Sequence, residues 1–384
     1  MEKINLGEVV DIISGYAFKA SEFKRTGVPV IRISDLDGDR VRISENTARI
    51  DEADIDDKYL LKKGDLLIGL SGSIGKIGVF SSDELAYLNQ RVGKVITKEG
   101  ISEDFAVYLI NNLVKLMKKD SVGGTVLNIS PITIKNYEVY LPNKDEQDFI
   151  SKKLKTIEKL IQTRQDQIQA LDDLVESVYN ITLNENNNLV KLKDYVKVNP
   201  AKSEVKDLDS NTVISFVPME DVSENGELSL SKTKTIEEAY KGFTYFKDDD
   251  VVVAKITPCF ENGKGALMKN LVNGIGFGTT EFHVLRSKDK NIINPVWLNY
   301  LTRTRYFREL GEIRMSGSAG QKRIGKDFVE NFEFNLPPIE KQNLFAAFVE
   351  KIEKQKQILN DSLKELTDLF DSLMQDAFDG SLTK

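Results

Sequence analysis

The chain has 384 residues, 40% of them hydrophobic and 29% charged, and its formal net charge at pH 7 is −7. This length predicts two or three domains, and the composition is that of a globular protein. The sequence contains no apolar run of about 18 residues, so no membrane span is predicted. The single cysteine, Cys259, excludes an internal disulfide, so we expect a cytoplasmic protein. The acidic total disfavours nucleic acid only weakly, because residues 303–326 concentrate seven cations against two acids.

Residues 1–140 predict a mixed, strand-rich domain. Short β-like runs occur at residues 28–33 and 65–68, and apolar residues at helical spacing predict a helix near residues 104–119. A further strand is expected at residues 137–140, immediately before a Leu-Pro pair.

A long helix is predicted to follow Gln147. Its apolar positions alternate four and three apart, which is the heptad pattern of a coiled coil, and Arg164 interrupts them. The predicted seam consists of Ile150, Leu154, Ile157, Ile161, Ile168, Leu171 and Val175.

The same order of elements recurs after the polar tract at residues 184–188, which is predicted to be a linker. Residues 247–253 resemble residues 62–68, and a helix is expected near residues 295–310. A second heptad pattern, interrupted by Lys356, then begins. Its predicted seam consists of Phe345, Val349, Ile352, Leu359, Leu363, Leu366 and Phe370.

The two helical stretches are copies of one another. Residues 141–179 align without gaps onto residues 336–374 with twelve of 39 positions identical, where unrelated sequences would give roughly two or three. The chain is therefore predicted to be a tandem duplication. Two equal seams most simply pair with each other, antiparallel if a two-fold axis relates the units. The alternative is that each helix packs only on its own domain.

Catalytic motifs are missing from the sequence. His283 is the only histidine, which excludes His-based triads and His-rich metal sites. Residues 69–77 resemble a phosphate-binding loop, but the spacing of their residues does not match that motif. Asp194, Glu204 and Lys206 could imitate a nuclease arrangement, but such spacings arise often by chance. We therefore expect no covalent chemistry from this chain.

Two stretches resemble a known family. Residues 62–78, with the glycine-rich segment SGSIGK, resemble the signature of target recognition domains in specificity subunits of type I restriction–modification systems. Residues 141–147 resemble the start of the conserved spacer helices of that family. The second half departs from the pattern, since it lacks SGSIGK and has Glu340-Lys341 where the first has Asp145-Glu146.

The resemblance implies an α+β protein with two pseudo-symmetric mixed α/β target recognition domains separated by a long antiparallel two-helix coiled coil. The expected division is residues 1–143 for the first recognition domain, 144–183 for the first spacer helix, 184–338 for the second domain and 339–384 for the second helix.

The resemblance also implies a function. Each recognition domain would read half of a bipartite site in the major groove of double-stranded DNA, while the helix pair sets the spacing and docks two methyltransferase subunits. Restriction (translocase) subunits would complete the complex. S-adenosylmethionine, ATP and Mg would belong to those partners, and this chain would bind no cofactor. The alternatives are a non-catalytic coiled-coil scaffold, the specificity module of another restriction-like system, or a self-contained DNA-cutting or methylating enzyme.

Candidate DNA contacts are polar and cationic side chains on predicted loops, because phosphates and base edges are bound by such groups. In the first half they are Ser71, Ser73, Lys76, Arg91, Lys94, Thr125 and Asn128. In the second half they are Lys255, Lys264, Thr280, Arg303, Arg305, Gln321, Lys322 and Arg323.

Overall fold

The computed structural model describes residues 2–38, 40–52, 55–70, 76–120, 130–184, 189–318 and 320–379. The chain divides into two compact units. The first unit comprises Met1–Gln165 with Asp361–Lys384, and the second comprises Asp166–Asn360. Two helices of 41 residues each contribute to both units. Among the described residues, no helix combines the length and apolarity needed to cross a membrane.

The first unit is built mainly of short strands. In chain order these are β1 (Glu2–Asn5), β2 (Val10–Ser14), β3 (Val28–Ile31), β4 (Leu36–Asp37), β5 (Arg40–Val41), β6 (Arg49–Ile50), β7 (Leu60–Leu61), β8 (Leu66–Gly69), β9 (Ile77–Val79), β10 (Ala86–Leu88), β11 (Val92–Thr97) and β12 (Glu138–Leu141). The helices are α1 (Glu103–Asp120), α2 (Pro131–Lys135) and the long α3 (Lys144–Asn184).

These strands form two main sheets and one closing pair. One sheet has the order β2-β11-β8-β9-β5-β4 and the other β6-β3-β10-β7, while β1 pairs with β12. Strands β3 and β10 run parallel, with Ile31 opposite Leu88. The core lies between the larger sheet and α1, where Phe105 and Ile110 are fully buried.

The second unit has a similar set of strands. They are β13 (Leu189–Lys191), β14 (Val196–Val198), β15 (Val213–Val217), β16 (Thr233–Thr235), β17 (Thr244–Lys247), β18 (Val251–Ala254), β19 (Gly265–Leu267), β20 (Ile275–Gly278), β21 (Phe282–Ser287) and β22 (Glu333–Asn335). Its helices are α4 (Leu192–Tyr195), α5 (Ile236–Tyr240), α6 (Pro295–Arg303), α7 (Arg305–Arg314), α8 (Lys326–Asn331) and the long α9 (Ile339–Asp379). The sheets have the orders β14-β21-β18-β19 and β16-β15-β20-β17, with β13 paired to β22.

The single helix expected near residues 295–310 is two helices, so that prediction was wrong. Thr304 between them is extended, with φ −61° and ψ 144°, and its hydroxyl accepts a hydrogen bond from the Phe307 N–H at the start of α7. A threonine that caps a new helix ends the previous one, because its backbone leaves the helical region.

Strand register shows that the two domains are the same fold. Leu66 of β8 lies opposite Val95 of β11, as Val251 of β18 lies opposite Leu285 of β21. Before β8, the Lys62 N–H donates to the carboxylate of Asp65 at 2.8 Å, and before β18 the Lys247 N–H donates to Asp250, also at 2.8 Å. The duplication inferred for the helices therefore extends through both domains.

The turn before β8 and β18 needs a left-handed residue in both units. Gly64 has φ 99° in the first, and Asp249 has φ 68° in the second. Glycine adopts this conformation without strain, and Asp is among the few other residues that tolerate it. The turn is preserved although its sequence has changed.

A glutamine fixes the start of each long helix on its domain. The Gln147 side-chain amide donates to the carbonyls of Gly100 and Pro142 at 2.8 and 2.9 Å, and its oxygen accepts from the Ser102 N–H at 2.8 Å. Both Gln147 and its counterpart Gln342 are buried.

Gln342 makes the same three bonds in the second unit. Its amide donates to Ile292 and Pro337 carbonyls at 3.0 and 2.8 Å, and its oxygen accepts from the Asn294 N–H at 2.9 Å. The repeated Leu-Pro…Gln pattern thus connects the start of α3 to the loop before α1, and the start of α9 to the loop before α6.

Within each unit the two long helices contribute antiparallel segments. In the first unit, Ile150 and Leu154 near the start of α3 share a buried cluster with Met374 and Ala377 near the end of α9. In the same unit, the Arg164 guanidinium donates to the Ser362 hydroxyl at 3.2 Å.

The segments of the two long helices are antiparallel in the second unit as well. Val175 and Tyr179 of α3 share a buried cluster with Phe345 and Val349 of α9. All the predicted seam residues are buried or half-buried. The predicted α+β class with an antiparallel helix pair is therefore confirmed. The alternative, in which each helix packs only on its own domain, does not hold. The ring of Tyr179, near the end of α3, lies 5.4 Å from that of the fully buried Trp297 of α6 in the second domain.

Lys356, which interrupts the second seam, is buried and ion-paired. Its ammonium lies 2.7 Å from the carboxylate of Asp172 and 3.6 Å from that of Glu353. Burial lowers the pKa of Lys356, but the hydrogen bond to Asp172 and the charge of Glu353 outweigh it, so the pKa lies above its ordinary value. The interruption is a paired polar contact between the helices rather than a break in packing.

Replacing the buried glutamines tests their role. Gln147→Ala and Gln342→Ala each leave two carbonyls and one N–H without partners inside the protein, so we expect the free energy of unfolding to fall by about 2–4 kcal/mol. Urea unfolding followed by circular dichroism measures this. Gln355→Ala, at an exposed position of α9, is the control. Equal effects of all three substitutions would contradict the assignment.

The Asp172–Lys356 pair should respond asymmetrically to substitution. Asp172→Ala removes the hydrogen-bonded partner of a buried ammonium and leaves it only the more distant Glu353, so it should lower the free energy of unfolding by about 1–3 kcal/mol. Lys356→Met keeps the packing and should change it by less than about 1 kcal/mol. Thermal and urea unfolding distinguish these outcomes. The exposed pair Glu350–Lys354 provides a control, since Glu350→Ala should leave the midpoint unchanged. A larger loss for Lys356→Met than for Asp172→Ala would disprove this interpretation.

Candidate nucleic-acid interface

The carboxyl ends of the parallel strands bring three segments of the first unit together. Residues 32–35 follow β3 and residues 89–91 follow β10, and the Asn89 N–H donates to the Ile31 carbonyl at 3.1 Å. The Leu70 N–H after β8 donates to the Arg91 carbonyl at 2.9 Å. We call residues 32–35, 70, 76 and 89–91 edge 1.

Edge 1 presents cations. Arg91 is exposed, Lys76 is half-buried, and Arg32 is half-buried. The buried carboxyl of Asp35 lies among them and accepts from the Arg32 N–H at 2.8 Å. Burial raises the pKa of Asp35, although that hydrogen bond and the charges of Arg32 and Lys76 act against the rise.

Lys94 does not belong to this set. It is buried, its ammonium donates to the Leu60 carbonyl at 2.9 Å, and the carboxylate of Asp65 lies 3.5 Å away. These contacts connect β11 with β7 of the other sheet and with the turn before β8, and they hold the ammonium inside the domain, so the geometry opposes the predicted DNA contact. The predicted contacts Ser71, Ser73, Thr125 and Asn128 lie outside the described residues.

The second unit has the corresponding edge. Residues 218–221 follow β15 and residues 279–281 follow β20, its parallel partner. The Lys255 N–H after β18 donates to the Glu281 carbonyl at 2.8 Å, as Leu70 does to Arg91. We call residues 218–221, 255, 264 and 279–281 edge 2.

Lys76 and Lys264 occupy the same position in their units. Lys76 precedes β9, whose Ile77 pairs with Ile68, and Lys264 precedes β19, whose Gly265 pairs with Val253. Their carbonyls accept equivalent bonds from the Gly69 and Ala254 N–H groups, both at 2.9 Å. Both lysines are among the DNA contacts predicted from the sequence, but only the strand pairing shows that their positions are equivalent.

A further segment joins edge 2. The Thr257 N–H donates to the Lys322 carbonyl at 3.0 Å, and the Ile324 N–H donates to the Lys255 carbonyl at 2.8 Å. Six predicted contacts therefore come together in the second unit. They are Lys255, Lys264, Thr280, Gln321, Lys322 and Arg323.

Arg323 has an acidic partner. Its guanidinium donates to the Glu281 carboxylate at 3.0 and 2.9 Å. This hydrogen bond lowers the pKa of Glu281, against a smaller opposing effect of burial. Arg323 therefore contributes less free positive charge than its residue type suggests, while exposed Gln321 and Lys322 present their side chains to solvent.

Arg303 and Arg305 lie on helices beside the domain core. The Arg303 guanidinium lies 5.0 Å from the Tyr300 ring centroid and close to Gly226, in the loop after residues 218–221. Arg305 is exposed on α7 and ion-paired with Glu309 at 2.6 Å. The contacts described above do not connect Arg305 with edge 2.

Two edge 1 residues were not selected from the sequence. Arg32 and Gln90 each follow a strand of the parallel pair, and Gln90 corresponds by register to Thr280, which was selected. The signal that could have identified them is the pairing of β3 with β10. Neither strand is longer than four residues, so that pairing is not visible in periodicity.

The residues that resemble parts of catalytic motifs, Glu204 and His283, have structural partners. Glu204 is ion-paired with Lys197 at 3.1 Å and with Arg286. His283 is buried, with its two ring nitrogens 2.9 Å from the Ile324 carbonyl and 3.2 Å from the Asn199 amide, and burial lowers its pKa. Across the described ranges, no group of three or more His, Cys, Asp or Glu side chains is arranged to hold a metal.

Comparison with known families matches both halves of the chain. A family model described as type I restriction modification DNA specificity domain matches residues 1–172 and again residues 184–368. The two matches cover most of the sequence and follow the duplication.

Curated relatives carry related descriptions. The type I restriction enzyme EcoAI specificity subunit of Escherichia coli is 39% identical over 163 residues, which is 41% of this chain and 27% of that protein. The EcoBI specificity subunit of the same species is 23% identical over 428 residues, covering 99% of this chain and 86% of that protein. The chain thus matches about a quarter of the length of the EcoAI protein.

Solved structures share the fold. The crystal structure of a type I restriction-modification S subunit from M. genitalium has a TM-score of 0.56 at 13% identity, covering 98% of this chain and 96% of that chain. A chain from a structural study of complex assembly and conformational transition in the type I R-M system has a TM-score of 0.54 at 15% identity, with 99% and 98% covered. By its sequence matches and duplicated fold, the chain belongs to the type I restriction modification DNA specificity family.

Proposed function

We propose that this chain is the DNA-specificity subunit of a type I restriction–modification complex. Each recognition domain reads one half of a bipartite site in the major groove. The observation that supports this is the pair of equivalent edges, which combine an identical lysine with different neighbours. Lys76 matches Lys264, whereas Arg91 corresponds to Glu281 and Gln90 to Thr280.

This combination fits the physics of DNA recognition. Phosphate contacts position a protein and carry no sequence information, so a conserved cation suits them. Base edges differ in their pattern of donors and acceptors, so two domains that read different bases need different side chains. Lys76 and Lys264 are assigned to phosphates, and the differing neighbours to bases.

The long helices are assigned to assembly. In this proposal they set the spacing of the two half-sites and dock two methyltransferase subunits, and restriction subunits join the complex. The chain itself is non-catalytic and binds no cofactor, while S-adenosylmethionine, ATP and Mg²⁺ belong to its partners. The proposed division is residues 1–143, 144–183, 184–338 and 339–384, and the complex acts on DNA in the cytoplasm.

A coiled-coil scaffold without DNA binding is the second candidate. The antiparallel helix segments support it equally. A scaffold function, however, gives no reason for the two domains to place cations at equivalent edges, beside polar side chains that differ between the units.

Methylation mapping tests the proposed function. The chain is assembled with methyltransferase subunits, and DNA treated with the complex is sequenced to locate methylated bases. We expect one bipartite motif of two short half-sites separated by a fixed number of unspecified base pairs. Assembly without sequence-selective methylation would support the scaffold instead, and a continuous motif would contradict the two-domain reading.

The equivalent lysines provide a second test. Lys76→Ala and Lys264→Ala should weaken binding to specific and unrelated duplexes alike, and each should reduce the slope of log affinity against log salt concentration by about 1. Fluorescence anisotropy of the assembled complex over a salt series measures this. Lys63→Ala is the control, because Lys63 lies in the turn at the start of β8, whereas edge 1 lies at the opposite end of that strand. An unchanged slope in both variants would remove the lysines from the interface.

A further inference from the structure

A cleft beside edge 1 combines aromatic, cationic and amide groups. Its volume is about 360 Å³, and Phe18, Phe23, Arg32, Gln90 and Arg91 contribute to its lining. None of these except Arg91 was selected from the sequence. The cleft opens where the parallel strands β3 and β10 end.

Arg32 is oriented within this cleft. The centre of its guanidinium lies 5.9 Å from the Phe23 ring centroid, a distance at which an aromatic face attracts a cation and orients its plane. The side chain is 40% exposed, so the guanidinium is held by the protein while part of it faces solvent.

The hydrogen-bonding capacity of Arg32 is not used up. Its buried Nε has no hydrogen-bond partner among the described residues. The nearest carboxylate is that of Asp35, whose Oδ2 lies 4.0 Å from Nε. That oxygen already accepts from the Arg32 N–H, and the other lies 3.3 Å from the Thr47 hydroxyl.

The solvent-facing part of a guanidinium that is oriented by an aromatic ring is available to an incoming acceptor. Guanine presents two acceptors, O6 and N7, in the major groove, and arginine binds them with two parallel N–H groups. Adenine, thymine and cytosine offer no such pair of acceptors on one base edge.

We propose that Arg32 reads a guanine in the half-site recognised by the first unit. This assignment rests on the proposed function and adds a base identity to it. Gln90 and Arg91 flank that contact from the adjacent strand. The second unit cannot repeat it, because Pro218 corresponds to Arg32 by strand register. The guanine contact made by Arg32 is therefore confined to one half-site.

A base analogue tests the contact in the unmodified protein. The mapped recognition site is synthesised with 7-deazaguanine in place of each guanine in turn, which removes only the N7 acceptor. For the assembled complex, we expect one position in the first half-site where the analogue weakens binding about 10-fold or more, corresponding to one lost charge-assisted hydrogen bond. A first half-site without guanine would overturn the proposal.

Substitution of Arg32 completes the test. In Arg32→Met and Arg32→Gln the analogue should cause little further loss at that position, and discrimination against the other bases there should fall about 10- to 100-fold. Requirements in the second half-site should stay unchanged. Arg49→Gln is the matched control, because the Arg49 guanidinium is already bound by Glu84 at 2.7 Å and by the Gly27 carbonyl at 2.8 Å.

Other outcomes separate the possible failures. If affinity falls equally for every sequence, Arg32 contacts phosphate and the proposal is wrong. If the variants keep full analogue sensitivity, another residue reads the guanine and the proposal is also wrong, while the bipartite function stands. If the variants do not fold, the result with the unmodified protein decides. A wild-type complex without any bipartite motif would instead remove the proposed function itself.

Discussion

The hydrogen bonds of Gln147 and Gln342 are the constraint on which the rest of this structure depends. Each glutamine is buried at the start of a long helix and binds two carbonyls and one N–H of its own domain. A buried amide satisfied on both sides permits few alternative geometries. It therefore fixes how the helix leaves the domain, and it does so identically in both halves of the chain.

Outside that connection the two units differ widely in sequence, although their backbones adopt the same fold. Gly64 and Asp249 make the same left-handed turn, and Lys76 and Lys264 immediately precede equivalent strands, β9 and β19. Positions that differ in chemistry between the units, such as Arg32 against Pro218 and Arg91 against Glu281, lie at the ends of strands. Because these side chains are not fully buried, they can differ according to what each unit binds.

The helices were the most predictable part of the molecule, because heptad spacing is local and needs no knowledge of the partner. The residues predicted for both seams are buried or half-buried, and the predicted interruption at Lys356 is a buried ion pair. The ion-pair partner of Lys356, Asp172, was not identified, because 184 positions separate the two residues. The break at Thr304 was missed for another reason. A capping threonine inside an apolar pattern differs from a helical threonine only in its backbone angles.

The sequence by itself determined the duplication, the helical seams and the family, because each depends on patterns that are contiguous along the chain. Only the tertiary structure decided which loops form an edge, since that depends on the parallel pairing of short strands far apart in sequence. This is why Lys94, a plausible loop cation by sequence, is buried between strands. It is also why Arg32, which no motif marks, lies in a cleft with an unused donor.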